Sequence, residues 1–349
     1  MNTLRTQLFN SKLESFKEVN VNDMNVQNLG RVVTEQKGAY MVMTKTGVNL
    51  CKITGKIRFE TVTREDLPAI GDWVLINDEG STIEKVLPRA SKFSRKKAGL
   101  EADEQIIATN IDTVFILSSL NDELNIGRIE RYLLLCWESG ANPVVVLTKA
   151  DIYKNAAEKR KEVEDKLYGV KVLTISSITK EGIEELSPYF GMGKTIALVG
   201  SSGVGKSTLT NLLLDDDVQK TNEIRDGDDK GKHTTTHREL FLLKNGTSII
   251  DTPGMREIQM WQGQEGLSTQ FSDIEELAHS CRFKDCSHNE EPGCRVKETI
   301  LSGELDPNRF SQYQKLQREI AYMERRGNKR LESLERKKWK NIGKQRKLK

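Results

Sequence analysis

The sequence predicts a multidomain protein in three parts: an N-terminal β-barrel, a central α/β domain with a parallel sheet, and a C-terminal helical domain gathered around cysteine and histidine. Three observations predict it. Short apolar runs separated by glycines and polar turns fill residues 29–87, the spacing of a small barrel. From Ile111 onward, apolar strands alternate with helical periodicities, the pattern of a parallel sheet with helices on both faces. After Gly254 the chain turns polar, and three of its five cysteines fall between Cys281 and Cys294.

Residues 1–28 read as a polar extension, without the apolar stretch of a signal peptide. In the barrel, assigned to 29–95, the predicted strands are Gly30–Val33, Ala39–Met43, Val48–Cys51, Lys56–Phe59, Trp73–Ile76 and Ser81–Val86. A five-stranded oligonucleotide-binding (OB) barrel is one solution; a small β-domain with no binding role is the other. Ser91–Glu104 reads as a charged connection. The α/β domain, 96–262, is predicted to place strands at Ile111–Leu117, Pro143–Leu147, Val170–Ile175, Thr195–Val199, Leu240–Leu243 and Ser248–Asp251. Its helices are expected at Ile126–Ser139, Ile152–Leu167, near Glu181–Tyr189 and at Lys206–Leu214. The last part, 263–349, carries the Cys/His cluster and a long charged helix, Arg309–Lys340.

A chain of 349 residues has room for two or three domains. No apolar run reaches the roughly 20 residues of a membrane span, so a soluble cytoplasmic protein is expected. The net charge is only +3, but Arg325–Lys349 holds twelve Lys/Arg against two Glu. Such a basic block is either a solvated helix end or a surface for nucleic acid. Cys51 and Cys136 stand among apolar neighbours and read as packing residues.

Gly200-Ser201-Ser202-Gly203-Val204-Gly205-Lys206-Ser207 matches G-x-x-x-x-G-K-[ST] between a predicted strand and a predicted helix, the context this phosphate loop requires. Its glycines let the backbone aim N–H groups inward, and the helix N-terminus adds positive potential. Lys206 is expected to reach the β- and γ-phosphates, Ser207 to hold Mg²⁺, and Thr208 to help with the α-phosphate. Asp251-Thr252-Pro253-Gly254 ends an apolar strand. There Asp251 can hold Mg²⁺ through water, and the Gly254 N–H can contact the γ-phosphate. Between these motifs lies Lys232-His233-Thr234-Thr235-Thr236-His237. A threonine here can close over Mg²⁺ in the triphosphate state. Thr235 or Thr236 fits that role, with Thr235 taken for the metal.

Thr148-Lys149-Ala150-Asp151 follows the strand Val144–Leu147, and Ser176-Ser177 ends the next one. Asp151 can accept from both N1–H and the exocyclic amine of guanine. Adenine offers neither donor and would leave the carboxylate unpaired. The Lys149 stem can lie along the base, and a Ser176-Ser177 N–H can meet its O6. Both elements sit at strand ends, where α/β sheets bind ligands.

Cys281, Cys286, His288 and Cys294 give C-x₄-C-x-H-x₅-C, three thiolates and an imidazole that complete a tetrahedral Zn²⁺ shell. With no position open, such a site is structural. His279 is a rival ligand; His288 is preferred because it lies inside the loop closed by Cys286 and Cys294.

The motif order is unusual: Thr148–Asp151, Ser176-Ser177, Gly200–Ser207, Thr234–Thr236, Asp251–Gly254. Ras-like and translational GTPases begin with the phosphate loop and end with the base elements. With its preceding barrel and following Cys/His cluster, the chain from about residue 29 resembles the small-subunit-dependent ribosomal GTPases of bacteria, late assembly factors of that subunit. The resemblance implies a circularly permuted GTP hydrolase that cycles between GTP and GDP with Mg²⁺ and one structural Zn²⁺. Thr148, where most GTPases have Asn, and the Cys/His spacing are similar to this family. It also implies that the small subunit and its rRNA are the partners, with a monomer as the default state. Met255 follows Gly254 where many GTPases carry a water-orienting Gln, so slow intrinsic hydrolysis is expected. The resemblance gives the catalytic role to His233, just before the switch threonines. Two other readings are a nucleotide-gated RNA-binding module with negligible catalysis and a P-loop kinase.

Overall fold

The barrel forms from β1 (Leu29–Gln36), β2 (Ala39–Thr44), β3 (Val48–Ile53), β4 (Trp73–Ile76) and β5 (Thr82–Val86), closed in the order β1-β2-β3-β5-β4. The computed structural model describes residues 2–18, 28–36, 38–61, 64–96, 104–121, 124–167, 169–218, 238–252, 264–289, 291–318 and 320–321. Period-two alternation turns Val32, Val42, Val74, Ile76 and Ile83 into the barrel core. One predicted strand is a helix instead. Gly55–Glu60 coils because the Thr54 hydroxyl accepts from the Ile57 N–H at 3.2 Å as an N-cap. The alternation of Ile57 and Phe59 imitated a strand over too few residues to separate the two periods.

The polar extension needs a second correction. Asn2–Glu18 forms helix α1. Leu8, Phe9, Leu13 and Phe16 bury on one side of it. Phe9, Leu13 and Phe16 follow i, i+4, i+7 spacing, but the polar residues between them diluted the signal. The Phe9 and Phe16 rings meet Trp73 of β4 edge-on, at centroid distances of 5.2 and 6.4 Å.

The expected charged connection, Ser91–Glu104, contains a strand, β6 (Lys92–Lys96), which pairs antiparallel with β7 (Glu104–Thr109). Beyond it, β8 (Thr113–Ser119), β9 (Asn142–Thr148), β10 (Lys171–Thr174), β11 (Thr195–Gly200), β12 (Glu239–Leu242) and β13 (Ser248–Asp251) make one sheet ordered β10-β9-β8-β11-β13-β12. All pairs are parallel except β12 with β13. Helices α3 (Ile126–Ser139), α4 (Ala156–Lys166) and α5 (Lys206–Val218) connect its strands; the short helix at Gly55–Glu60 is α2. The helix expected near Glu181–Tyr189 is a 3-10 segment, Ile183–Tyr189, with Pro188 inside it.

Arg31 joins barrel to sheet. It is 1% exposed, donates to Thr195 Oγ1 at 2.7 Å and Ser248 Oγ at 3.0 Å, and lies 5.0 Å from the Trp73 ring. Burial lowers its pKa to about 10, with Asp112 and Asp72 opposing. The C-terminal part packs α6 (Gln264–Gln270), α7 (Ser272–His279), α8 (Arg295–Ser302) and a helix over 307–318. The rest of the expected Arg309–Lys340 helix and the basic tail lie outside the described residues. Among the described residues no helix is long and apolar enough to cross a membrane.

Candidate nucleotide and metal sites

Strand β11 delivers the phosphate loop to the C-terminal edge of the sheet. Gly200 (φ 147°), Gly203 (φ 80°) and Gly205 (φ 98°) hold backbone conformations that L side chains rarely adopt. A Cβ on Gly200 would also strike the Leu117 carbonyl of neighbouring β8. The chain can therefore curl here only with glycine, and α5 starts at Lys206. The Lys206 ammonium is buried and donates to the Gly200 and Ser201 carbonyls at 2.9 and 2.6 Å. Burial lowers its pKa to about 8, with Asp251 pulling the other way. Thr208 is exposed on the first turn of α5.

Parallel pairing of β11 with β13 sets Leu198 beside Asp251. The Thr252 hydroxyl donates to the Leu198 carbonyl at 2.7 Å and fixes the end of β13. Asp251 Oδ2 then lies 3.5 Å from Ser207 Oγ. These two oxygens suit a hard, oxygen-seeking cation such as Mg²⁺.

At the end of β9, the Thr148 hydroxyl donates to the Val204 carbonyl at 2.7 Å, which ties the base motif to the phosphate loop. Lys149 is left-handed (φ 61°) and turns the chain into the 3-10 segment Ala150–Ile152. Asp151 Oδ1 accepts from Ser176 Oγ at 2.6 Å. Ser176 is fully buried, and its oxygen in turn accepts from the N–H groups of Ile178 and Thr179 at 3.2 and 3.1 Å. The carboxylate is thus aimed by a hydroxyl with one possible geometry, while Asp151 itself faces solvent. Ser177 follows, half-buried. Thr148–Asp151, Ser176-Ser177, Gly200–Ser207 and Asp251 stand on one sheet edge. His233, Thr234–Thr236, Gly254 and Met255 lie outside the described residues.

The sulfur and ring-nitrogen ligand atoms of Cys281, Cys286, His288 and Cys294 all lie within 4.8 Å of one another. His288 Nδ1 is 3.6 Å from Cys281 Sγ and 3.5 Å from Cys294 Sγ, and those two sulfurs are 4.0 Å apart. A tetrahedron with ligand bonds of about 2.3 Å has edges of roughly 3.8 Å, so the donor set fits Zn²⁺. His288, not His279, completes the cluster; its left-handed backbone (φ 59°) turns the ring inward. Cys294 caps α8, with its sulfur 3.4 Å from the Lys297 N–H. Burial raises the Cys281 thiol pKa, but N–H groups of Val296 and Arg295 outweigh that and lower it. Burial and the two neighbouring thiols push Cys286 up to about 11. Three thiolates this close would be stabilised together only by a cation among them.

Residues 86–261 match the family model described as RsgA GTPase. The chain is 44% identical over 344 residues to small ribosomal subunit biogenesis GTPase RsgA 1 of Oceanobacillus iheyensis, covering 97% of this chain and 98% of that protein. The chain belongs to the RsgA GTPase family. RsgA 2 of Lactiplantibacillus plantarum is 46% identical over 85% of both chains. The crystal structure of YjeQ from Thermotoga maritima aligns with a TM-score of 0.59 at 28% identity, over 84% of this chain and 98% of that one. YloQ, titled a circularly permuted GTPase, aligns at 0.58 with 25% identity, over 84% and 94%.

This RsgA-family chain is a GTP hydrolase with an OB-type barrel and a permuted α/β domain. The permutation is visible in the sheet: the phosphate-loop strand β11 is central in space but fourth of its six strands in sequence. Several residues around the site escaped sequence reading. Arg128 Nη1 donates to Ser201 Oγ at 2.9 Å, and the Tyr132 hydroxyl meets the Gly200 backbone. Neither has a motif. Arg31, at the opposite edge of the sheet, had a weak signal, a lone cation inside the run Leu29–Val33.

Proposed function

We propose that this chain is a GTPase stimulated by the small ribosomal subunit and active in late maturation of that subunit in the cytoplasm. The observation that carries the guanine reading is the Ser176–Asp151 hydrogen bond at 2.6 Å, beside a phosphate loop tied to the same motif through Thr148. The ribosomal reading is supported by the name of the 44%-identical relative, which covers nearly the whole chain.

In this reading Asp151 accepts from guanine N1–H and its amine, Lys149 flanks the base, Ala150 spaces them, and Ser176 and Ser177 supply the aim and the N–H for O6. Gly200 through Gly205 wrap the phosphates with backbone N–H groups. Lys206 turns its remaining donor and its positive charge to the phosphates, and Thr208 flanks the α-phosphate. Ser207, Asp251 and Thr235 hold Mg²⁺, whose chemistry is to neutralise charge developing on the phosphates. His233 orients the attacking water, and Gly254 senses the γ-phosphate. Cys281, Cys286, His288 and Cys294 hold a structural Zn²⁺. The units run 1–28, 29–95, 96–262 and 263–349, act as a monomer and engage rRNA in the triphosphate state; hydrolysis releases them. Single-turnover GTP hydrolysis with and without purified small subunits tests this. A rate indifferent to the subunit would sink the ribosomal assignment, and no hydrolysis in either arm would leave only a nucleotide-gated binder.

A further inference from the structure

Helix α3 touches both halves of the candidate switch. It starts at an Asn125 N-cap that accepts from the Arg128 N–H at 2.9 Å and ends at left-handed Gly140. Fourteen residues make a rod about 20 Å long. Arg128 and Tyr132, at i and i+4, share one face. That face holds the first two residues of the phosphate loop: Arg128 binds the Ser201 hydroxyl, and Tyr132 meets Gly200. Ser201 is gripped from its other side, because its carbonyl accepts from Lys206 at 2.6 Å.

A second face of α3, at positions 127, 130, 134 and 138, receives the zinc domain. Buried Glu130 lies 3.8 Å from Arg309 and accepts from the Gln312 amide. The Glu138 carboxylate accepts from the Gly266 N–H at 2.8 Å. Glycine is required at that crossing, since a Cβ on Gly266 would lie 2.8 Å from the Leu134 carbonyl. Gly127 also passes Gln312 closely, and a Cβ there would lie 3.1 Å from its side-chain amide.

We propose that α3 carries phosphate-loop occupancy to the zinc domain, with Arg128 as the positioning residue at its nucleotide end. The proposal rests on reading Gly200–Ser207 as the nucleotide loop. Lys206 spends two of its three donors on the Gly200 and Ser201 carbonyls, so phosphates that draw its ammonium toward them loosen the Ser201 bond and let the Ser201 peptide turn. Arg128, bonded to the same residue, moves with it. A short helix packed on both faces transmits that shift as a body rather than absorbing it. This route is separate from the covalent one that runs from β13 to α6.

Hydrogen exchange of the full chain, with and without the non-hydrolysable analogue guanosine 5′-(β,γ-imido)triphosphate and Mg²⁺, tests it. In wild type the analogue should slow exchange across 126–139 and 264–318 by about threefold or more. In Arg128→Ala the response in 264–318 should vanish, exchange there without nucleotide should stay as in wild type, and analogue affinity should change by less than about fivefold. Arg128→Lys should restore part of the response. If Arg128→Ala folds poorly, Arg128→Met keeps the packed stem, removes the same bond to Ser201 and should give the same loss. A full response in these variants, or a wild type that binds the analogue with 264–318 unmoved, overturns the lever. Failure to bind the analogue at all overturns the nucleotide-loop reading instead, and the lever with it.

Discussion

The nucleotide edge and the metal centre solve the same problem, convergence of polar groups, by opposite means. The nucleotide edge collects residues from Thr148 to Asp251, and a buried parallel sheet brings them together. Its groups hold one another: Thr148 on Val204, Ser176 on Asp151, Lys206 on Ser201. The metal centre draws on fourteen consecutive residues between Cys281 and Cys294, where α7 and α8 are eight residues each and few side chains are buried. One site is held by a core that exists without ligand. The other gathers its ligands within one short loop, where a bound ion would tie them together.

The contrast breaks most visibly on zinc removal. Structural zinc contributes on the order of 10 kcal/mol to such folds. A strong chelator, or Cys281→Ser, should abolish exchange protection across 264–302 while GTP affinity changes by less than about fivefold. One equivalent of zinc by elemental analysis completes the measurement. Loss of GTP binding along with the zinc domain would show the two regions to be one cooperative unit.

The nucleotide edge should fail by chemistry without unfolding. Asp151→Asn should weaken GTP binding by about 3 kcal/mol, over a hundredfold. The new amide should favour xanthosine triphosphate, which offers a carbonyl where guanine has its amine. Fluorescent-nucleotide titration reads both arms, and an unchanged melting temperature separates this from unfolding.

Where the two regions meet, Glu130 provides a pH test. Burial raises its pKa from 4.5 to about 7, with Arg309 opposing. Arg309 wins little because it is committed to Asp273 at 2.8 Å and stands 3.8 Å from Glu130. The folded chain then keeps a proton that the unfolded chain has lost. Wild-type stability should fall as pH rises between about 4.5 and 7. Glu130→Gln removes that slope and should be more stable above pH 7 by about 3 kcal/mol in denaturant titrations.

The smallest effect concerns Lys206, whose pKa is lowered to about 8 by burial. Phosphates raise it, so binding takes up a proton once free Lys206 is neutral. GTP affinity should be level below pH 8 and fall roughly tenfold per unit above it. Affinity flat from pH 7 to 9.5 would contradict that pKa.

The phosphate loop, the base motif and the cysteine spacing were legible because each is a short run whose chemistry depends on local order. Strands of the α/β domain were legible because burial on both faces demands continuous apolar runs. Gly55–Glu60 was not, since six residues fit both periods and the Thr54 cap decided between them. Helix α1 was not, since its apolar stripe has meaning only against Trp73 of the barrel.

By itself, then, the sequence determined which groups exist and in what order: a P-loop behind its base motif, and a cysteine cluster beyond the switch. Tertiary structure alone decided what those groups lean on. Ser176 aims Asp151 and Thr148 braces the phosphate loop because parallel register sets strands 171–174, 142–148 and 195–200 into one sheet. Arg128 and Glu130 bridge that loop and the zinc domain because a helix turns 3.6 residues at a time, and only packing says which neighbour each face meets.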